Sequence, residues 1–183
     1  MDEDHSSEHW VFEFLKKWFL GLFKGFKNHS SQVQADILKK CGIACAHPQA
    51  VNFFQEAWRK SQNIDQYIEI LNHEYKANIF TKKYESSIQV QYSKCYCPLR
   101  RLNLVDSPLL QNCSGSWLHE VFKTALNTPI SVKIVKTICS GADSCLFNLE
   151  FHHKEKNSLL EFQIYLKEAL KLRRQVDEGL LDF

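Results

Sequence analysis

Residues 130–153, ISVKIVKTICSGADSCLFNLEFHH, decide the fold class of this chain. Apolar and polar residues alternate on both sides of a turn that contains Gly141. The apolar positions are Ile130, Val132 and Ile134 before the turn and Cys145, Phe147, Leu149 and Phe151 after it. A period of two is typical of a strand with one buried face. The stretch therefore predicts two strands around a glycine turn, with Cys145 facing inward.

The residues before this stretch predict a further strand and several helices. Ile88, Val90 and Tyr92 alternate with glutamines, which indicates another half-buried strand. Apolar residues at three- and four-residue spacing predict helices over 31–41, 48–58, 64–71 and 115–128, and a closing helix from residue 158. Gly42 is expected to end the first of these helices. We therefore predict an α+β fold with a helical amino-terminal half and helices packed on an antiparallel sheet.

We divide the chain into an aromatic amphipathic helix over residues 1–30 and a single cysteine-rich α+β domain over 31–183. Trp10–Phe26 is too short and too charged to span a bilayer, so no membrane span is expected. We expect this helix to dock on the core, with a second copy or a membrane surface as alternatives.

The net charge bears on the class of binding partner, and the amino-terminal sequence bears on the cellular compartment. The formal net charge is +2 and the basic residues form no run, so no nucleic-acid partner is expected. The opening MDEDHSSEHW is acidic and polar, whereas a secretory signal is basic and then apolar. We therefore expect a cytoplasmic protein with reduced cysteines.

The seven cysteines are the main candidates for a functional site. Cys41 and Cys45 are four residues apart, so they would share one face of a helix. Cys95, Cys97 and Cys113 lie around a segment with a proline near each end, which is interpreted as a loop. Thiolates suit zinc or iron, so we predict that these five converge and that at least three of them bind metal. His47 is a weaker candidate ligand, and Cys139 and Cys145 are interpreted as ordinary buried cysteines.

Trp117 directly follows the segment CSGS and is a candidate ligand-binding residue. A buried indole needs a partner for its N–H, and a polar Gly-Ser loop would supply one while leaving a ring face for a ligand. Two roles for Trp117 are therefore left open: it forms the wall of a ligand pocket, or it packs in the hydrophobic core.

Four motifs carry a family resemblance. They are CGIACA (41–46), YSKCYCPL (92–99), CSGSWLHEVF (113–122) and PISVKIVKTICSGADSCLF (129–147). In this order they resemble the motifs of an uncharacterised bacterial family of small cysteine-rich proteins, which carries no established activity.

The last third also resembles the 4-vinyl-reductase-type domain, which implies an α+β small-molecule pocket with zinc held beside it by cysteines and a glutamate. Cys145 matches the terminal cysteine of that pattern, whereas Thr137 and Gln111 stand where the resemblances imply cysteines. Either this chain uses the five cysteines above, or the metal site is lost and the fold is kept for ligand binding.

The first functional interpretation is a cytoplasmic binding protein with a cysteine-lined site for a metal ion, a small apolar ligand or both. The alternative is a thiol hydrolase of a small amidine or thioester, resembling the thiazoline-carboxylate hydrolases, with Cys97 or Cys113 as nucleophile. The sequence shows no histidine beside those cysteines to serve as the base. A third interpretation makes the amino-terminal helix the arm of a homodimer and the cysteines structural.

Overall fold

A computed structural model describes residues 4–76 and 78–152, with the side chains described from residue 9 onward. The helices are α1 Asp4–Phe26, α2 Ser31–Ala44, α3 Pro48–Lys60, α4 Ile64–Glu74, α5 Pro98–Arg101 and α6 Leu110–Leu126. The strands are β1 Asn78–Tyr84, β2 Ser87–Tyr92, β3 Ile130–Lys136 and β4 Cys145–Phe151. The α+β class with a helical amino-terminal half is thus confirmed, and the helix predicted from residue 158 lies outside the described residues.

The four strands form one antiparallel sheet in the order β1-β2-β4-β3. Gly141 adopts a φ of 90° between β3 and β4, a left-handed conformation that glycine adopts without steric cost. The alternating residues face inward as predicted, and Cys145, Phe147, Leu149 and Phe151 are all buried. The opposite sheet face carries polar side chains such as Gln89 and Asn148, whose amides are hydrogen-bonded at 3.0 Å.

Helices α3, α4 and α6 cover the inner face of the sheet and form the main core with it. Its largest fully buried side chains include Phe54, Tyr67, Phe80, Phe122 and Phe147. Burying aromatic side chains of this size supplies much of the apolar stabilisation of a small domain.

A second core cluster lies apart from the main core. It consists of Phe23 of α1, Leu38 of α2, Leu104, Val105 and Leu110. Cys97 and Cys139 are partly buried against it, as are three further α1 phenylalanines. The docking of α1 on the core is thus confirmed for one side of this helix.

Gly42 does not end α2, because the helix continues to Ala44 and Cys45 is its C-cap residue. The glycine is buried inside the helix, which shows that its role is close packing and not termination. Ser30 is the N-cap residue of α2, since its hydroxyl accepts a hydrogen bond from the Val33 N–H at 3.4 Å.

The segment CSGS is also not a loop, because α6 begins at Leu110 and runs through it. Ser114 and Ser116 donate hydrogen bonds to the backbone carbonyls of Leu110 and Asn112, four residues earlier. Such bonds let serine occupy helix interiors. Cys113 therefore lies on a helix, and Trp117 lies in its middle.

Within the described residues, no helix combines the length and the apolar composition needed to cross a bilayer.

Candidate thiol site

Three segments of the chain supply the five cysteines predicted to form a site. Cys41 lies in the last turn of α2 and Cys45 caps its carboxyl end. Cys95 and Cys97 lie in the connection from β2 to α5, and Cys113 lies near the amino end of α6. Cys41 and Cys45 are exposed, whereas the other three are partly buried.

Gly42 brings the first and last of these segments together. A Cβ atom at this position would lie 2.3 Å from the backbone oxygen of Cys113 and 2.8 Å from the Cβ of Ser116. Only a glycine allows the α2 backbone to approach α6 this closely. The helix ends that carry Cys41, Cys45 and Cys113 are therefore adjacent because residue 42 has no side chain.

Cys113 lies among three other thiols, and we call these four residues the Cys113 group: Cys41, Cys45, Cys97 and Cys113. Burial comes first and the negative charges that Cys45, Cys97 and Cys41 would carry come next among the causes that together raise the pKa of Cys113 to about 12. Two or more thiolates in this group therefore repel one another.

Cys97 joins this group to a second one. Burial raises the pKa of Cys97, and the backbone N–H groups of Arg100 and Leu99 oppose the shift by donating hydrogen bonds to its sulfur. Its electrostatic neighbours are Cys45 on one side and Cys95 on the other.

The second set, the Arg100 group, consists of Arg100, Cys95, Cys139 and Cys145. Besides burial, Arg100 and Cys95 are the groups that shift the pKa of Cys139. Burial raises the pKa of Cys139 to about 11, while Arg100 opposes the shift. The backbone N–H of Ile138 donates to the Cys145 sulfur at 3.3 Å.

The convergence of the five predicted cysteines stays a prediction, although Cys41, Cys45 and Cys95 are among the groups that shift the pKa of Cys97 or Cys113. Of the two cysteines interpreted as ordinary buried residues, Cys145 is buried and Cys139 is partly buried. Cys145 does pack in the main core. Both nevertheless interact electrostatically with Cys95. The spacing of the cysteines in the sequence does not indicate this interaction with Cys95, because it depends on where the turn between β3 and β4 lies relative to α5.

All seven cysteines are free thiols. Over residues 4–76 and 78–152, no three histidine, cysteine, aspartate or glutamate side chains stand together in a geometry that could hold a metal ion. The metal-ligand role of Cys41, Cys45, Cys95, Cys97 and Cys113 therefore stays a prediction. His47, the weaker candidate, uses its Nδ1 to accept a hydrogen bond from the Gln49 N–H at 3.3 Å and so caps α3.

Trp117 connects the site to the core. Its indole is partly buried against the main core, with its ring centroid 6.4 Å from that of Phe54. Its Nε1 donates to the backbone oxygen of Cys45 at 3.1 Å, so the N–H partner is α2 and not the predicted Gly-Ser loop. The role of Trp117 in ligand binding stays a prediction.

An open groove of about 420 Å³ lies near the amino end of α6. Gln111 forms part of its wall, and its Oε1 accepts hydrogen bonds from Ser140 at 3.1 Å and Thr137 at 3.5 Å. The other lining residues are Ile134, Val135, Lys136 and Ala142. Neither a cysteine nor an aromatic residue lines this groove, so it is not the aromatic-walled pocket expected beside the thiols.

The electrostatics of Cys97 and Cys113 differ from those of a catalytic cysteine. A nucleophilic thiol has a lowered pKa, whereas burial raises the pKa of both residues. The α6 histidine, His119, has a pKa lowered by burial and then by Lys123, and no cysteine is among the groups that shift it.

The comparison with protein families decides the classification. Residues 3–156 match the model of a family described as "Family of unknown function (DUF6144)". The chain belongs to this family. Membership of the DUF6144 family confirms the expectation of an uncharacterised family and assigns no activity. None of the curated proteins matches the chain.

Two solved structures are similar to the chain. One is a trafficking protein particle complex subunit 3 from Naegleria fowleri covalently bound to palmitic acid, 11% identical with a TM-score of 0.48 over 78% of this chain and 96% of that one. The other is the phenol-responsive sensory domain of the transcription activator PoxR with phenol, 9% identical with a TM-score of 0.45 over 85% of this chain and 79% of that one. At such TM-scores neither likeness indicates what this chain binds, and the 4-vinyl-reductase resemblance stays a prediction.

Proposed function

We propose that the protein is a metal-binding protein whose Cys113 group takes up a thiophilic ion, zinc or iron. One observation carries the proposal: the thiols of Cys41, Cys45 and Cys97 lie near enough to that of Cys113 to raise its pKa, although the four cysteines come from three chain segments. Thiolate ligands from separate segments are the usual composition of structural zinc and iron sites.

Packing does not account for this group. Cys41, Cys45 and Cys113 belong to neither core cluster, and the first two are exposed. A cysteine that serves as a small hydrophobe is ordinarily buried in a core, as Cys145 is. A ligand role explains why exposed and partly buried thiols occur side by side.

The electrostatics support a cationic ligand. Without a cation, burial and neighbouring thiolates keep the Cys113 pKa high, so this thiol stays protonated. A bound cation reverses this balance, because a coordinating thiol loses its proton and the positive charge offsets the repulsion between thiolates. Uptake of metal by this group therefore releases protons.

The side chains must rotate to form the site. Since no three potential ligands among the described residues are positioned for metal, binding requires new χ1 rotamers. Cys41 and Cys45 are exposed and can change rotamer without disturbing the core. The backbone positions of Cys41, Cys45 and Cys113 are already fixed by the contact at Gly42.

The test is the metal content of the full chain purified without oxygen. Zinc and iron are measured by mass spectrometry in the wild type, in Cys113→Ser and in the matched control Cys139→Ser, which alters a thiol of the Arg100 group. We expect stoichiometric metal in the wild type and the control, loss of metal in Cys113→Ser, and a lower Tm of the wild type after chelation.

Two results would overturn the proposal. The first is wild-type protein that stays metal-free after incubation with zinc or ferrous iron and whose Tm is unchanged by a chelator. This result needs only the wild type, so it decides the matter even if the Cys113→Ser variant fails to fold. The second is loss of metal in Cys139→Ser with retention in Cys113→Ser, because the ion would then lie in the Arg100 group.

A further inference from the structure

Helix α1 carries apolar side chains on two nearly opposite sides, and only one side is covered by the described residues. Phe23 is buried in the second core cluster, and Phe12, Phe19 and Phe26 are partly buried against it. Trp10, Phe14 and Trp18 are 67%, 51% and 52% exposed. Exposed aromatic side chains that form one patch mark an interaction surface.

Two glycines extend this patch. The residues 10, 14, 18, 21 and 25 follow one another at spacings of four, four, three and four, which places them on one face of the helix. We call the set Trp10, Phe14, Trp18, Gly21 and Gly25 the outer face of α1. Cβ atoms at Gly21 and Gly25 would meet nothing within 4 Å, so no contact among the described residues requires glycine there.

These glycines carry an energetic cost within the protomer. A glycine in a helix interior is about 1 kcal/mol less favourable than alanine. Large aromatic residues thus occupy one half of the outer face and two residues without side chains occupy the other half. Such a surface is complementary to itself when it is turned end over end.

We propose that the outer face of α1 binds α1 of a second copy in antiparallel orientation. Trp10 packs over the partner's Gly25, and Phe14 over the partner's Gly21. The two pairs share one midpoint, beside Trp18, so a single two-fold axis generates both of them. The aromatic side chains then fill the space that the glycines leave open.

Charge along α1 favours this orientation. The acidic residues Asp4, Glu8 and Glu13 lie in its first half, and Lys16, Lys17 and Lys24 lie in its second half. An antiparallel pair places acidic halves opposite basic halves, whereas a parallel pair places like charges together. Three acids and three lysines balance, so the helix has no net charge that would attract it to an anionic membrane.

The first measurement is the mass of the full chain in solution by light scattering over a concentration series. We expect about twice the 21.4 kDa of one chain. Gly21→Gln and Gly25→Gln fill the spaces that the partner's aromatic side chains occupy, so each raises the dimer Kd at least ~10-fold, which corresponds to about 1.4 kcal/mol. Their protomers keep or raise their Tm, because glutamine forms helices better than glycine.

Leu20→Gln is the matched control, because Leu20 is exposed on α1 but lies away from the outer face. It should leave the Kd unchanged. Lys24→Glu should weaken the dimer, and adding Glu13→Lys to it should restore the affinity, since residue 24 lies opposite residue 11 of the partner helix and therefore two residues from Glu13 of the partner subunit.

The proposal is wrong if the full chain is a monomer at every concentration. It is also wrong if the dimer survives Gly21→Gln and Gly25→Gln, since the interface then lies elsewhere. A monomer that sediments with phosphatidylglycerol vesicles would assign the outer face to lipid instead. None of these outcomes depends on metal content, so the failure of this proposal and of the proposed function are distinguishable.

Discussion

The indole Nε1 of Trp117 donates a hydrogen bond to the backbone oxygen of Cys45, and this 3.1 Å contact joins the middle of α6 to the carboxyl end of α2. The same carbonyl also accepts a hydrogen bond from the His47 N–H at 2.8 Å. The Trp117 side chain packs on Phe54 in the main core. The position of Cys45 is therefore coupled to the core through one aromatic residue.

Replacing Trp117 by Phe should release the end of α2. The lost hydrogen bond and the smaller ring should lower the free energy of unfolding by about 1 kcal/mol, and Cys45 should react faster with iodoacetamide. Trp58→Phe is the control, because Trp58 packs on the same core against Tyr67. Equal alkylation rates of Cys45 in the two variants would contradict this coupling.

Gly42→Ala should destabilise the protein, since the new methyl group would overlap the backbone of Cys113. Overpacking of this kind costs about 1–3 kcal/mol and would force α2 away from α6. Lys40→Ala is the control, because Lys40 is exposed on the same helix and alanine favours the helical state. Urea denaturation measures both effects, and a Gly42→Ala variant as stable as the wild type would disprove the close contact.

Tyr67→Phe should stabilise the protein. Tyr67 is fully buried and its hydroxyl has no hydrogen-bond partner, so removing the oxygen should raise the free energy of unfolding by about 1 kcal/mol. Tyr84→Phe, at an exposed position, should change nothing. Thermal unfolding of the three proteins at neutral pH provides the comparison.

The same substitution should change the response to alkaline pH. Burial raises the pKa of Tyr67 above its usual value of 10.0, so the folded protein keeps this hydroxyl protonated where the unfolded chain ionises it. Stability from this residue is therefore complete below pH ~10 and falls as the pH rises further. Tyr67→Phe should lose less stability above that pH than the wild type, and an identical decline in both would contradict the assignment.

Asn72 holds the edge strand β1 onto α4. Its side-chain Oδ1 accepts from the Phe80 N–H and its Nδ2 donates to the Phe80 oxygen, both at 2.8 Å. Asn72→Ala should cost about 1–3 kcal/mol and accelerate hydrogen exchange at the Phe80 amide. Asn52→Ala, at an exposed position of α3, is the control and should leave that amide protected.

Three of the four strands could be predicted from the sequence because their burial is periodic, whereas β1 was not predicted. Ile88, Val90 and Tyr92 face inward between glutamines, and the sequence carries that alternation directly. Pro48 at the first turn of α3 is equally local, since its fixed φ suits that position. Features that depend on only two or three neighbouring residues can be predicted from the sequence without knowledge of tertiary contacts.

The start of α6 could not be predicted, because its composition is that of a loop. Ser114, Gly115 and Ser116 ordinarily favour turns, and their helical state depends on the serine-to-carbonyl hydrogen bonds and on Ile134, whose side chain lies 3.3 Å from where a Cβ of Gly115 would be. Tertiary packing overrides local propensity here. The interaction between Cys95 and Cys139 likewise depends on the tertiary fold, and no periodic pattern in the sequence indicates it.

The arrangement of the thiols has a consequence for biosynthesis. The linked cysteines range from Cys41 to Cys145, so the complete cluster cannot assemble until the ribosome has released β4. Until then Cys41 and Cys45 emerge without the thiols that later surround them. An oxidant encountered during translation would find these two cysteines close together in the chain and could trap them as a non-native disulfide. A newly made chain can therefore form this disulfide before the end of α2 has packed against α6.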